Sequence, residues 1–190
     1  SICNKCIWLD RGQIVVYGST EEVVEKYMTS NDSKNQASLE DRTDRKGNGK
    51  IRLHKLTATD RVAENRKLQF NLELINSTEE TYNDAKVSLD LYDALGVHVS
   101  NMLNHTVEWK LHLKPGLNSV SVEIDNVCLV PGNYSLNIFL ASDYLNKEIF
   151  DWVEDAYRFN IKPYDFYSTG KLPTFNGKYV FLDYAFKIKK

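Results

Sequence analysis

Between residues 51 and 161 hydrophobic and polar side chains alternate along the chain. Leu68, Phe70, Leu72 and Leu74 are separated by Gln69, Asn71 and Glu73. Val87, Leu89 and Leu91 are separated by Ser88 and Asp90, with Lys86 and Tyr92 on either side. Successive side chains of a strand point to opposite faces, so a period of two marks a strand buried on one face. Val97 and Val99 follow the turn Asp93-Ala94-Leu95-Gly96. Val120, Val122 and Ile124 follow Pro115-Gly116, and Tyr134, Leu136, Ile138 and Leu140 follow Pro131-Gly132. With residues 51–57, residues 107–111 and the alternation of Tyr157, Phe159 and Ile161, the pattern predicts about eight short strands punctuated by turns. No helical stretch alternates with them, which excludes a parallel α/β sheet in this region. The predicted fold class is all-β, an immunoglobulin-like antiparallel β-sandwich.

Both flanks break that rhythm. Residues 7–10 and 13–17 read as two strands joined by the tight turn Arg11-Gly12, with Gly18 ending the second. Ser19 stands three residues before Glu22, the capping-box spacing, and Val23, Val24, Tyr27 and Met28 recur at helical intervals, predicting a short amphipathic helix over 20–28. Residues 29–48, rich in Ser, Asn, Asp, Lys and Arg, have little to bury and read as a linker to a sandwich over 49–162. Residues 163–177 form a turn-rich connector, and 178–188 read as a further strand carrying Tyr179, Phe181 and Phe186. A strand on a long arm pairs within its own chain or with a neighbouring copy, and exchange of that kind builds a homodimer. The chain begins at Ser1 in what reads as the middle of a strand, so it is expected to be a fragment of a longer protein.

Composition narrows the function classes. With 190 residues, 42% hydrophobic and 26% charged, the chain is suited to a packed core and not to disorder or a fibre. No apolar run approaches the roughly 20 residues that cross a bilayer. A net charge of −2 lacks the basic excess of a chain that binds phosphate backbones, so no nucleic-acid partner is expected. Cys3, Cys6 and Cys128 make no disulfide framework and point to a reducing compartment. Cys3 and Cys6 have the spacing of half a zinc site, but no second pair of ligands follows, and they read as small apolar side chains packing at a strand. Asn31, Asn76, Asn104 and Asn133 begin glycosylation-type triplets, which would matter only in a secretory route that the cysteines argue against. There is no Gly-x-x-x-x-Gly-Lys-Ser/Thr loop, no Gly-x-Ser-x-Gly elbow and no His-Glu-x-x-His pair, and the four histidines are scattered. No enzymatic activity is expected of this stretch.

The opening residues carry a family signal. Cys3-Asn4-Lys5, Leu9, Gly12, Ile14, Gly18, Glu22 and Val23 fit the pattern Cys-Asp-Arg-x-x-x-Leu-x-x-Gly-x-Ile-x-x-x-Gly-x-x-x-Glu-Val, with Asn4 and Lys5 in place of Asp-Arg. That pattern resembles the end of the nucleotide-binding domain of ABC transporters. Ile7-Trp8-Leu9-Asp10 with Gly12, and Val23-Val24-Glu25-Lys26-Tyr27, look like its polysaccharide-exporting, Wzt-like branch. Gly47-Asn48-Gly49-Lys50-Ile51, Leu91-Tyr92-Asp93 with Gly96, and Leu129-Val130-Pro131-Gly132-Asn133-Tyr134 are similar to the C-terminal sandwich of that branch. The resemblance covers most of residues 1–162. It implies that residues 1–28 are the remnant of an ATP-binding domain and that 163–190 supply a strand exchanged in a homodimer. It further implies a carbohydrate-binding domain that reads the completed, non-reducing end of an O-antigen polysaccharide in the cytoplasm of a Gram-negative bacterium and couples it to export. The full-length subunit would lie at the inner membrane against a transmembrane subunit. ATP and Mg²⁺ would belong to the preceding domain, leaving this fragment without a cofactor.

A sugar presents C–H faces to aromatic rings and hydroxyls to planar polar groups, so a lectin face needs both on one side of a sheet. In an immunoglobulin-like arrangement the third strand pairs with the sixth and the last flanks the sixth. Taking 86–92, 135–141 and 156–162 as those strands, the outward set is Ser88, Asp90, Tyr92, Asn137, Phe139, Arg158 and Asn160, with His98 from the adjoining hairpin. Phe139 on a wet face is kept for a ligand or covered by another segment, and the C-terminal arm could supply that cover. Trp109 and Trp152 are further candidates for an aromatic platform, and Arg158 and Lys86 the partners for an acidic ligand end. The alternative function is a regulatory or dimerising sandwich that contacts the transmembrane subunit without reading sugar. An extracellular adhesive sandwich is a third reading, disfavoured by the unpaired cysteines.

Overall fold

A computed structural model of the chain describes residues 3–10, 12–20, 22–24, 26–27, 39–173 and 180–182. The chain divides into two compact units, Ser1–Asp41 and Arg42–Lys190. In the first, β1 (Lys5–Asp10) and β2 (Gln13–Ser19) pair antiparallel, turning at Gly12 with φ 80°. A positive φ costs glycine nothing, which is why the turn sits there. β2 continues through Gly18 to Ser19, beyond the break expected at Gly18. Ser19 Oγ accepts the Glu22 N–H at 3.2 Å, capping the helical residues at 20, 22–24 and 26–27. Trp8 meets Tyr27 edge-on at 5.5 Å, and Val23 is buried. Cys6 is half-buried, but Cys3 faces solvent, so it does not pack as the sequence suggested.

The second unit holds β3 (Ile51–Arg61), β4 (Lys67–Asn76), β5 (Tyr82–Asp93), β6 (His98–Leu103), β7 (Leu111–Leu113), β8 (Gly116–Ile124), β9 (Gly132–Ala141) and β10 (Ile149–Ile161). One sheet runs β3-β4-β8 and the other β10-β9-β5-β6, with β7 pairing the start of β5; every pairing is antiparallel. Phe70, Leu72 and Leu74 from the first sheet and Leu89, Leu136, Ile138, Leu140 and Phe150 from the second are buried. Burial of such side chains stabilises by about 1.5–3 kcal/mol each and is the main force holding the two sheets together. This is the all-β sandwich expected from the alternation.

Three departures from the expected elements have local causes. Of residues 107–111 only Leu111, the start of β7, is strand: Asn104–Val107 form a single helical turn that ends at Glu108, whose φ is 55°. The buried Asn104 side chain fixes that turn by accepting the Val87 N–H at 2.9 Å and donating to the Ala85 and Trp109 carbonyls. β10 begins at Ile149, well before residue 156; its register shifts between Val153 and Tyr157, where Asp155 takes φ 51°, and this irregularity interrupts the alternation ahead of Tyr157. Residues 42–48, which composition assigns to the linker, instead lie along β10. Lys46 and Trp152 exchange backbone hydrogen bonds at 3.0 and 2.7 Å, and Arg42 donates to the Glu154 and Asp155 carbonyls.

Beyond β10, the Tyr164 hydroxyl donates to the Val127 and Leu129 carbonyls, and Phe166 and Phe181 pack beside its ring. Of the strand expected over 178–188, only 180–182 are described: Val180 bridges Leu129, and the Phe181 N–H donates to the Cys128 carbonyl. Tyr179, Phe186 and the exchange of this strand lie outside the described residues. Among the described residues no helix is long and apolar enough to cross a membrane.

Candidate functional site

The pairing of β5 with β9, and of β9 with β10, sets the composition of one sheet face. Ser88 lies opposite Phe139 and Phe139 opposite Trp152, while Asp90 lies opposite Asn137. Residues directly paired across an antiparallel sheet share a face, so Ser88, Asp90, Tyr92, Asn137 and Phe139 come together as the alternation implied. They line an open concavity of about 300 Å³, completed by Lys86, Asn101, Asn146 and Trp152.

The polar groups are wired by residues that the alternation did not single out. Asn101, opposite Asp90 across the β5–β6 pair, donates its Nδ2 to Ser88 Oγ at 2.6 Å and to Asp90 Oδ1 at 2.5 Å. Asn137 Oδ1 accepts the Asp155 N–H at 2.7 Å, which leaves the Asn137 Nδ2 hydrogens for a ligand acceptor. Lys86 Nζ donates to Asn146 Oδ1 at 3.0 Å and lies 5.3 Å from the Phe139 ring centroid. Phe139 meets Trp152 edge-on at 6.0 Å, and Lys46 Nζ lies 4.3 Å from the Trp152 ring centroid. The concavity therefore has an aromatic floor, an acidic acceptor at Asp90 and a cationic donor at Lys86.

His98, Arg158 and Asn160 stand differently from the first five. His98 is at the margin, its Nε2 3.4 Å from Asp90 Oδ1 and its ring 5.1 Å from that of Tyr92. Arg158 lies opposite Ser135, but its guanidinium grips Asp155, with Nε 2.7 Å from Oδ1, and does not line the concavity. The irregularity in β10 is the reason, since it turns Asp155 back toward Arg158. Asn160 is at the far end of the strand, where its Nδ2 donates to Asn133 Oδ1 at 2.7 Å. Of the tryptophans, Trp152 belongs to the concavity, whereas the exposed Trp109 does not. The described residues of the C-terminal arm pack at residues 127–129 and contribute nothing to the lining, so they do not cover Phe139. Asn146 could not be found from periodicity, because it comes from the loop after β9.

In Gly47-Asn48-Gly49-Lys50 the Asn48 and Gly49 N–H groups donate to the Ile149 and Phe150 carbonyls at 2.9 Å, which ties this segment to the start of β10. Among the described residues no three His, Cys, Asp or Glu side chains are grouped to hold a metal ion.

Residues 42–175 match the family model of the Wzt C-terminal domain. Among solved structures the chain is similar to the crystal structure of the C-terminal domain of Wzt, at 12% identity and a TM-score of 0.60, over 78% of this chain and 90% of that one. It is also similar to a β-glucuronidase from glycoside hydrolase family 2, at 13% identity and a TM-score of 0.38, over 56% of this chain and 11% of that one. A Bacteroides uniformis β-glucuronidase matches at 14% identity and a TM-score of 0.39, over 52% of this chain and 12% of that one. The two glucuronidase matches are too partial to bear on function. No curated protein matches by sequence. The match over residues 42–175 and the shared sandwich agree: the chain belongs to the Wzt C-terminal domain family.

Proposed function

We propose that the chain is the carbohydrate-binding module of an ABC exporter, reading the completed non-reducing end of an O-antigen polysaccharide in the cytoplasm and coupling that event to export. Family membership supports the transporter context. The observation that carries the sugar reading is the concavity itself, where the Phe139 ring forms a floor beside Asn137, Asp90, Asn101 and Lys86. A pyranose lays its C–H face on such a ring, and its hydroxyls donate to Asp90 and accept from Asn137 and Lys86. An open, shallow site held by a rigid sheet suits the end of a long polymer better than a small enclosed metabolite. The module binds without chemistry and without a cofactor of its own, and ATP and Mg²⁺ serve a preceding nucleotide-binding domain. Its partners are a second copy of the chain and, through the full-length subunit, the transmembrane subunit at the inner membrane.

The test is calorimetric titration of the 190-residue chain with the O-polysaccharide of the source strain, intact and with its terminal residue removed. Binding of the intact polymer and loss of binding after trimming is the expected result. Binding that ignores trimming would overturn chain-end recognition, and no binding to either would favour a regulatory sandwich that does not read sugar.

A further inference from the structure

We propose that Tyr144, on the loop between β9 and β10, is a second sugar platform that receives the residue linked to the one seated on Phe139. This rests on the carbohydrate reading above and extends the site from a single residue to a short stretch of polymer.

The loop is built to hold its side chains in place. The Ser142 N–H donates to the Glu148 carbonyl at 2.9 Å, the Glu148 N–H returns to Ser142 Oγ at 3.1 Å, and the Asn146 N–H donates to the Asp143 carbonyl at 3.2 Å. Lys147 and Asp143 pair at 3.4 Å across the same turn. Within this cross-linked loop Tyr144 is nevertheless 61% exposed. An ordered aromatic ring left in water is the form a carbohydrate platform takes, because the ring offers its face to C–H groups with little rotamer freedom left to lose.

Its position relative to the concavity is fixed by Lys86. The ammonium lies 5.3 Å from the Phe139 centroid and 5.9 Å from the Tyr144 centroid, so the two rings flank one cation. That ammonium is also bonded to Asn146, two residues beyond Tyr144 and itself part of the lining. His105 meets the Tyr144 ring in a T-shaped contact at 5.6 Å, which restrains the ring further. A polymer whose last residue sits on Phe139 leaves the open concavity past Lys86, and Tyr144 is the ring it meets there.

The experiment compares two ligands that keep the non-reducing end of the source strain's O-polysaccharide, the terminal monosaccharide as its methyl glycoside and a longer oligosaccharide, on the wild-type chain, Tyr144→Ala and Tyr144→Phe. The wild type should bind the longer fragment more tightly. Tyr144→Ala should weaken the longer fragment by about tenfold while leaving the monosaccharide within about twofold, and Tyr144→Phe should retain wild-type affinity. Equal loss on both fragments, or no loss on either, would overturn the second platform while leaving the Phe139 site standing. A wild-type chain that bound neither fragment would overturn the carbohydrate reading and this proposal with it.

Discussion

Arg45 and Asp151 form a bidentate ion pair inside the sandwich unit, their side chains only 5% and 3% exposed. Arg45 Nε donates to Asp151 Oδ1 at 3.0 Å, and a second guanidinium nitrogen donates to Asp151 Oδ2. Asp151 also accepts the Leu53 N–H at 2.9 Å, while Arg45 reaches the Leu53 carbonyl at 2.8 Å. The pair thus ties the segment before β3, β3 itself and β10 at one point. Removing one partner strands a buried charge, at a cost of about 3–5 kcal/mol. Asp151→Ala should lower the unfolding free energy by about that much in urea denaturation. Lys67→Ala, which breaks an exposed pair with Asp125, should scarcely move the curve. Equal effects of the two would contradict the anchoring role of Arg45 and Asp151.

Gly47 is a second fixed point on the same segment. Its φ is 115°, and a Cβ there would stand 2.6 Å from the Phe150 carbonyl oxygen. Gly47→Ala should therefore destabilise by about 2 kcal/mol or more, since strain and a backbone clash combine. Gly96, with φ 77° and open space around it, should lose only about 1 kcal/mol on the same change. Thermal melts of the two variants test that order.

These two anchors show why residues 42–48 read as part of a linker. The composition of a segment reports what it could bury in a core, and these residues bury little; they are held by backbone and guanidinium hydrogen bonds to β10. The sandwich was legible because period-two alternation survives wherever a strand has one dry face, as in β4, β5 and β9. It failed at residues 107–110, where the buried Asn104 amide closes a helical turn that alternation does not encode. In the candidate site, Ser88, Asp90, Tyr92, Asn137 and Phe139 were legible from register alone. Asn101 and Asn146 were not, because their contributions depend on which amide meets which neighbour across a hairpin and from a loop. Parity puts Arg158 on the face of its partner Ser135, but parity cannot reveal that Asp155 turns toward it in the irregular stretch of β10.

The binding consequences of that arrangement differ by residue. Phe139→Ala should weaken O-polysaccharide affinity by about tenfold or more, because it removes the floor on which the sugar lies. Arg158→Ala should change affinity by no more than about twofold, because its guanidinium is occupied by Asp155. Titration calorimetry on both variants, each checked by its melting curve, decides the point. A larger effect from Arg158 would mean that the ligand lies further along β10 than the concavity.

Alkaline pH should reveal the buried tyrosines. Burial pushes the Tyr134 hydroxyl, which donates to the Val130 carbonyl at 2.8 Å, up to about 12 from its usual 10.0. Burial raises Tyr164 in the same direction. Above pH 10 the unfolded chain releases these protons and the folded chain keeps them, so the unfolded state binds fewer protons and stability falls with rising pH. Below pH 10 the contribution is fully present and flat. Melting temperature should fall as pH rises from 10 toward 12, and Tyr134→Phe should flatten that fall. A pH-independent melting temperature across this window would contradict the assignment.

The most direct test of the central claim, that this sheet face holds the sugar, is an amide chemical-shift map of the isotope-labelled chain titrated with the non-reducing-end oligosaccharide. Perturbations should concentrate on Ser88, Asp90, Asn101, Asn137 and Phe139 and on the Trp152 indole. No perturbation at saturating oligosaccharide, or perturbation confined to another surface such as residues 127–129 and Tyr164, would contradict it.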